Sequence, residues 1–85
     1  MTEVLDGVKE VLRESLELGD RVAAFDHATP LFGSLPEFDS MAVVTVVLGL
    51  EERFDIVIDG EELSVEVFET VGTLCGFVED KLGAA

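Results

Sequence analysis

The sequence predicts an all-α protein, a small four-helix bundle made of three main helices, one short helix and a long first loop. Apolar residues recur at steps of three and four near both ends of the chain, and a long apolar run lies between them. The 85 residues are expected to form a single domain spanning 1–85. Its one cysteine cannot form an internal disulfide, so apolar packing must supply the stability.

The first helix is predicted over residues 2–18, where apolar and mostly acidic positions lie on opposite faces. Thr2 is expected to cap its start, and Gly19 to end it. The apolar face consists of Val4, Leu5, Val8, Val11, Leu12, Leu16 and Leu18.

Residues 19–39 show no sustained periodicity and are predicted to form a long loop, interrupted by Gly19, Pro30, Gly33 and Pro36. A loop of this length in a small domain is usually functional or packed by its own side chains. Leu31, Phe32 and Phe38 are expected to anchor it against the bundle.

The run from Met41 to Leu48 is rich in β-branched residues and would locally suit a buried strand. It continues without a break to Phe54, however, and this length favours a helix over residues 41–54. One stripe of that helix is expected to face the core: Val43, Val46 or Val47, Leu50 and Phe54. A second stripe need not be buried and offers a binding face: Met41, Val44, Leu48, Glu51 and Glu52.

Residues 55–60 are predicted to form a connector, and residues 61–67 a short helix. Thr70 is expected to cap the last helix, which Gly83 ends. The core face of that helix would consist of Val71, Leu74, Cys75, Val78 and Leu82.

The net charge of −14 excludes several classes of partner. Nucleic-acid binding depends on Lys and Arg, and the chain has only five. Anionic membrane surfaces would repel the chain, and neither a secretory signal nor a run long enough to span a bilayer is found. The sequence therefore predicts a cytoplasmic protein that docks to basic patches on other proteins.

No group of residues suggests catalysis or metal binding. Ser40 has no neighbouring base, the single histidine His27 has no nucleophile beside it, and Cys75 falls on a core face. The acidic residues from Asp55 to Glu62 resemble a calcium loop, but apolar residues 56–58 interrupt the required ligand spacing. We therefore expect neither a catalytic residue nor a dedicated metal site.

The tripeptide Asp39-Ser40-Met41 lies where the loop gives way to a helix. Asp and Ser are common helix caps, so capping alone could explain the tripeptide. The order of the elements offers a second explanation for the tripeptide. An amphipathic helix is followed by a long loop, a serine, a helix with an acidic end, a short helix and a closing helix. This order resembles that of acyl carrier proteins. The matching segments are Leu31-Phe32-Gly33, Asp39-Ser40-Met41, Leu50-Glu51-Glu52-Arg53-Phe54 and Phe68-Glu69-Thr70-Val71.

This resemblance implies that Ser40 carries a covalent 4'-phosphopantetheine arm, transferred from coenzyme A, on which acyl groups travel as thioesters. It implies as partners a phosphopantetheinyl transferase, an acyl-loading ligase and acyl-using enzymes with basic docking patches, and it implies a monomer without nucleic acid or stable membrane insertion. By the same resemblance, transferase and partner recognition would fall on Asp39, Met41, Val44, Leu48, Glu51, Glu52 and Ile58.

Some positions depart from the pattern of fatty-acid-synthesis carriers. Ala42 and Thr45 stand where acidic residues are common, and Leu35-Pro36-Glu37 lengthens the approach to Ser40. The segments 35–44 and 68–72 look most like carriers associated with exosortase and exopolysaccharide gene clusters. Two alternatives stay open: a D-alanyl or other aminoacyl carrier, and an acidic helical interaction module without a cofactor.

Overall fold

The computed structural model describes residues 2–32 and 38–83, with side chains described from residue 4 onward. Three α-helices form the frame, α1 (Thr2–Leu16), α2 (Ser40–Phe54) and α3 (Val71–Gly83). The described residues otherwise hold one isolated bridge between Pro30 and Thr70 and no strand. The predicted all-α class and the three main helices are confirmed. Three short 3-10 segments connect them: Gly19–Ala24, Gly60–Glu62 and Val65–Phe68.

The core lies where α1 packs against both α2 and α3. Every residue classed as buried within the described residues is apolar or glycine, and no buried polar or charged side chain is present there. Full burial of one large aliphatic side chain contributes about 1.5–3 kcal/mol, so this apolar contact is the main source of stability. The most deeply buried large side chains are Val8 and Leu12 of α1, Val46 and Leu50 of α2, and Val71, Leu74 and Val78 of α3, together with Leu31.

Helix α1 ends at Leu16, two residues before the predicted end. Glu17 adopts a left-handed conformation with φ of 55°, and the Leu18 N–H donates to the Arg13 carbonyl at 3.0 Å. This 6→1 hydrogen bond closes the helix and directs Leu18 into the core. The predicted stop at Gly19 is therefore wrong. Thr2 is the first helical residue, and its predicted capping side chain lies outside the described residues.

The segment predicted as a long loop begins with a 3-10 helix whose Val22 is buried. Its following part is held by backbone hydrogen bonds to residues 68–72. Leu31 and Phe32 donate to the carbonyls of Glu69 and Phe68, each at 2.9 Å. In the opposite direction, the Val71 N–H donates to the Thr29 carbonyl at 2.9 Å, and the Gly72 N–H donates to the His27 carbonyl at 2.8 Å. These hydrogen bonds join the loop to the start of α3.

The predicted loop anchors are confirmed for Leu31 and Phe38, which are buried. Phe32 differs, because 42% of its surface is exposed and it meets Phe38 edge-on, with ring centroids 6.1 Å apart. Phe38 in turn packs against Phe68 at 5.7 Å. The predicted glycine and proline breaks at Gly33 and Pro36 lie outside the described residues.

The region predicted as a short helix over residues 61–67 is helical, but it is divided into two 3-10 segments. The Glu62 carboxylate accepts from the Asp59 N–H at 3.0 Å and completes a capping box on a single turn. Leu63 and Ser64 are then extended and separate the two segments.

The start of α3 is fixed by Thr70, as predicted. The Thr73 N–H donates to Thr70 Oγ1 at 3.1 Å, and the Thr70 N–H donates to Thr73 Oγ1 at 3.0 Å. Gly72 follows within the first turn, and a Cβ there would lie 2.7 Å from the His27 carbonyl oxygen. Leu82 was predicted on the core face but is exposed.

Replacing Gly72 with alanine is expected to destabilise the fold by about 1–3 kcal/mol, since the new methyl group displaces the His27 carbonyl from its hydrogen bond. Gly76 is the matched control, because a Cβ there meets nothing within 4 Å. Gly76→Ala should stabilise by about 1 kcal/mol through helix propensity. Urea denaturation measures both variants, and equal effects of the two substitutions would contradict the close approach at Gly72.

Candidate functional site

Ser40 is the first residue of α2, and its position is set by Asp39. Asp39 is extended, with φ of −108° and ψ of −172°, and its carboxylate accepts from the Ala42 N–H at 2.9 Å. Its carbonyl accepts from the Val43 N–H at 3.1 Å, which starts the helical ladder. Asp39 is thus the predicted N-cap, and both Asp39 and Ser40 are exposed.

The surroundings of Ser40 favour an attached anion over catalysis by its own hydroxyl. The first turn of a helix presents unpaired N–H groups and the positive end of the helix dipole, which stabilise a phosphate. His27 is exposed, and its carbonyl braces the loop by accepting from Gly72. An exposed hydroxyl at this end of α2 is accessible to another enzyme.

An apolar groove of about 270 Å³ opens beside Ser40. Its walls come from the loop, from α2 and from the segment before α3, so distant parts of the sequence meet there. The sequence did not predict this groove, because local patterns do not show which distant segments lie close together in the fold. It is lined by Phe32, Ser40, Val43, Leu63, Ser64, Val65 and Phe68.

The predicted division of α2 into two faces is confirmed. Val46 and Leu50 are buried, and Ala42, which sequence reasoning did not place in the core, is buried too. On the opposite face Met41, Val44 and Leu48 are 74%, 54% and 57% exposed. We call these three residues the exposed stripe.

Glu51, Glu52 and Ile58 were predicted to extend this face, and the structure separates them. Glu52 is exposed, whereas Ile58 is only 8% exposed and belongs to the core. The Glu51 carboxylate accepts from the Ile58 N–H at 2.8 Å, so it serves the turn that follows α2. The side chain of Ile58 therefore does not join the exposed stripe, and its neighbour Val57 is the exposed apolar residue.

The end of α2 explains why Ile58 is turned inward. Asp55 is left-handed, with φ of 56°, and the Ile56 N–H donates to the Glu51 carbonyl at 3.2 Å. The chain reverses at this point, and the connector then alternates between core and solvent. Ile56 packs against the core and Ile58 is buried, while Val57 between them faces outward.

The acidic segment after α2 is partly neutralised from α3. Lys81 Nζ lies 2.9 Å from both carboxylate oxygens of Glu62. The Lys81 hydrogen bond, followed by the Asp59 N–H, lowers the pKa of Glu62. Within the described residues, no cluster of three or more His, Cys, Asp or Glu side chains is placed to hold a metal ion.

Cys75 is buried in α3, on the predicted core face. Burial, assisted by the charge of Glu79, raises the pKa of its thiol. The thiol therefore stays protonated and packs as a small apolar group. Among the described helices, none is long and apolar enough to cross a membrane.

The chain is similar in sequence and in fold to known proteins. No protein-family model matches the chain. Two curated proteins called acyl carrier protein, from Arthrobacter sp. (strain FB24) and Paenarthrobacter aurescens (strain TC1), are each 30% identical to it over 76 residues. Each match covers 89% of this chain and 88% of the relative.

A solved structure is more similar. It is the solution NMR structure of a holo acyl carrier protein from Nitrosomonas europaea, 43% identical in sequence, with a TM-score of 0.88. The match covers 98% of this chain and 99% of the other. At this identity and coverage the likeness extends over the whole architecture, from α1 to α3.

Replacing Asp39 with alanine is expected to cost about 0.5–2 kcal/mol of stability, because the Ala42 N–H loses its acceptor. Asp39→Asn is the matched control, since asparagine caps as well as aspartate but carries no charge. Thermal unfolding followed by circular dichroism measures both. If asparagine destabilised as much as alanine, the role of Asp39 would be electrostatic and not that of a hydrogen-bonding cap.

Proposed function

The chain belongs to the acyl carrier protein family, and on that premise we propose that Ser40 carries a 4'-phosphopantetheine arm derived from coenzyme A. The chain is thus a carrier protein and not an enzyme. The arm supplies a terminal thiol on which acyl groups are held as thioesters. The observation that carries the assignment to Ser40 is its exposed hydroxyl at the first residue of α2, directly after the Asp39 cap.

The site fits such a group on chemical grounds. The arm joins its carrier through a phosphodiester, an anion that the N-terminus of α2 stabilises. Asp39 holds the helix start through the Ala42 N–H, so the tether point has a fixed orientation. The groove beside Ser40 would offer apolar contacts from Phe32 and Val43 to the part of the arm nearest its attachment point.

The charge of the chain suits the partners that this function requires. A phosphopantetheinyl transferase must form the phosphodiester, an acyl-loading ligase must charge the thiol, and acyl-using enzymes must receive the cargo. A net charge of −14 attracts basic docking patches on such enzymes over long distances. Since the arm comes from coenzyme A, we place these steps in the cytoplasm.

Incubation with coenzyme A and a transferase of broad carrier specificity is expected to add one phosphopantetheine to the wild-type chain, measured by intact mass. Ser40→Ala should abolish the addition while the melting temperature stays unchanged. Ser64→Ala is the matched control, because Ser64 is exposed and lines the same groove. A wild-type chain left unmodified by several such transferases, or an S40A variant that is still modified, would contradict the assignment.

We further propose that the cargo belongs to a specialised biosynthetic pathway, of the kind associated with exosortase and exopolysaccharide gene clusters. The support is the uncharged first part of α2, where Ala42 and Thr45 replace the acidic residues common in fatty-acid-synthesis carriers. The Thr45 hydroxyl donates to the Met41 carbonyl at 3.2 Å, so it is engaged with the helix itself.

A complementation experiment tests this proposal. In a bacterium depleted of its own fatty-acid carrier, and supplied with a broad-specificity transferase, the chain should be modified at Ser40 yet fail to restore growth. The host carrier, expressed from the same vector, is the positive control. Growth restored by this chain would instead indicate a housekeeping role.

A further inference from the structure

We infer that Met41 is a redox-sensitive modification site: a peroxide converts its thioether to the sulfoxide, and the sulfoxide slows the attachment of the arm to Ser40. The inference rests on the proposed function, because it concerns the loading of that serine. It adds a regulatory modification at the neighbouring residue, which neither the fold nor the relatives indicate.

The sulfur atoms of this chain differ in their access to solvent. The chain has two methionines and one cysteine, and Met1 lies outside the described residues. The Cys75 side chain is only 2% exposed, and burial raises the pKa of its thiol, so little reactive thiolate forms. Met41 lies in the first turn of α2 and is 74% exposed. Because oxidation of sulfur follows its exposure, Met41 is the reactive sulfur among the described residues.

The reaction transfers one oxygen atom. A lone pair of the Met41 sulfur attacks one peroxide oxygen, the O–O bond breaks, and an S–O bond forms. Sulfur is oxidised by two electrons and the peroxide is reduced by the same two. The proton of the attacked oxygen passes to the departing oxygen, which leaves as water or an alcohol. The product is methionine sulfoxide, which methionine sulfoxide reductases return to the thioether.

The position of Met41 makes its polarity important for loading. Consecutive Cα atoms lie about 3.8 Å apart, so an enzyme that encloses the Ser40 hydroxyl also removes its exposed neighbour from water. The thioether is apolar and loses little when it is covered. The sulfoxide oxygen is a hydrogen-bond acceptor, and its burial without a donor is costly. Oxidation therefore disfavours any complex in which the transferase reaches Ser40.

The fold itself does not depend on the Met41 thioether. The Met41 side chain belongs neither to the buried core nor to the partly buried residues packed against it. Its carbonyl accepts from the Thr45 hydroxyl at 3.2 Å, which is a contact of the backbone. The cap between Asp39 and the Ala42 N–H likewise leaves the thioether out. Oxidation therefore changes the surface beside Ser40 and leaves α2 folded.

This response suits the chemistry of the arm. The arm brings a terminal thiol, which the same oxidants convert to a sulfenic acid or a disulfide. Before loading, the one cysteine of the chain is buried, so Met41 is the sulfur that responds to a peroxide. Slower loading under oxidising conditions withholds the new thiol until a reductase has restored Met41.

Treatment of the unmodified chain with hydrogen peroxide, followed by removal of the peroxide, tests the inference. Peptide mass spectrometry should find one added oxygen on Met41 and an unoxidised Cys75. The kcat/KM of phosphopantetheine transfer to the oxidised chain should fall at least about fivefold relative to the untreated chain. A methionine sulfoxide reductase should restore the rate, and the melting temperature should change by less than about 2 °C.

Met41→Leu is the matched control, because leucine stays apolar but has no sulfur, while Met1 and Cys75 remain. Each protein is compared with its own untreated sample, so the basal rate of the variant does not enter the comparison. The peroxide should change kcat/KM of this variant by less than about 1.5-fold. Met41→Gln, which is polar and neutral, should lower kcat/KM without any peroxide, as the sulfoxide does.

An unchanged rate of the oxidised wild type would overturn the inference. An equal loss in peroxide-treated Met41→Leu would do the same, since it would place the effect at Met1 or Cys75. So would a loss of rate that follows a fall in melting temperature, or a Met41 that resists peroxide under conditions that oxidise free methionine. None of these results affects the proposed function, provided that the untreated wild type gains its arm. An untreated wild type that stays unmodified overturns the proposed function instead.

Discussion

The hydrogen bond between the Asp39 carboxylate and the Ala42 N–H fixes where α2 begins, and the rest of the site depends on that start. A helix advances 100° per residue, so side chains three and four residues apart share a face, and the apolar spacing along α2 decides which face is buried. Val46 and Leu50 lie on the buried face, and Val44 lies in solvent. The cap places the Ser40 hydroxyl at the positive end of the helix, next to the exposed side chain of Met41.

A second constraint holds the groove in place, and it comes from the backbone. The segment 27–32 exchanges hydrogen bonds with residues 68–72, which brings Phe32 from the loop and Phe68 from the last connection to the same cavity. Gly72 permits this pairing, since its Cα approaches the His27 carbonyl more closely than a side chain would allow. The groove therefore depends on contacts far from Ser40 in the sequence.

Local patterns were sufficient for α2 and its two faces, because periodicity and the Asp39 cap are encoded within a few neighbouring residues. They failed where neighbouring residues offer more than one way to end a helical segment. The left-handed Glu17 ends α1 although a glycine follows two positions later, and the capping box of Glu62 splits the predicted short helix. Ile58 was expected on the partner face by resemblance, and because residues 56–58 are all apolar, no local pattern shows that Ile58 is buried and Val57 exposed. No local pattern in the sequence indicates the groove beside Ser40.

The chain has a net charge of −14, but the stretch of α2 from Ser40 to Leu50 contains no charged residue. At physiological ionic strength, screening reduces charge interactions beyond about 8 Å, whereas the stretch from Ser40 to Leu50 extends for about 15 Å. The middle of the stretch lies about 7.5 Å from either end, so the charges beyond both ends still act there with reduced strength. The exposed stripe itself offers apolar area and carries no charge. A partner that covered Met41, Val44 and Leu48 would therefore gain from the apolar area it buries, whereas a strongly acidic partner would be repelled by the chain's net charge of −14.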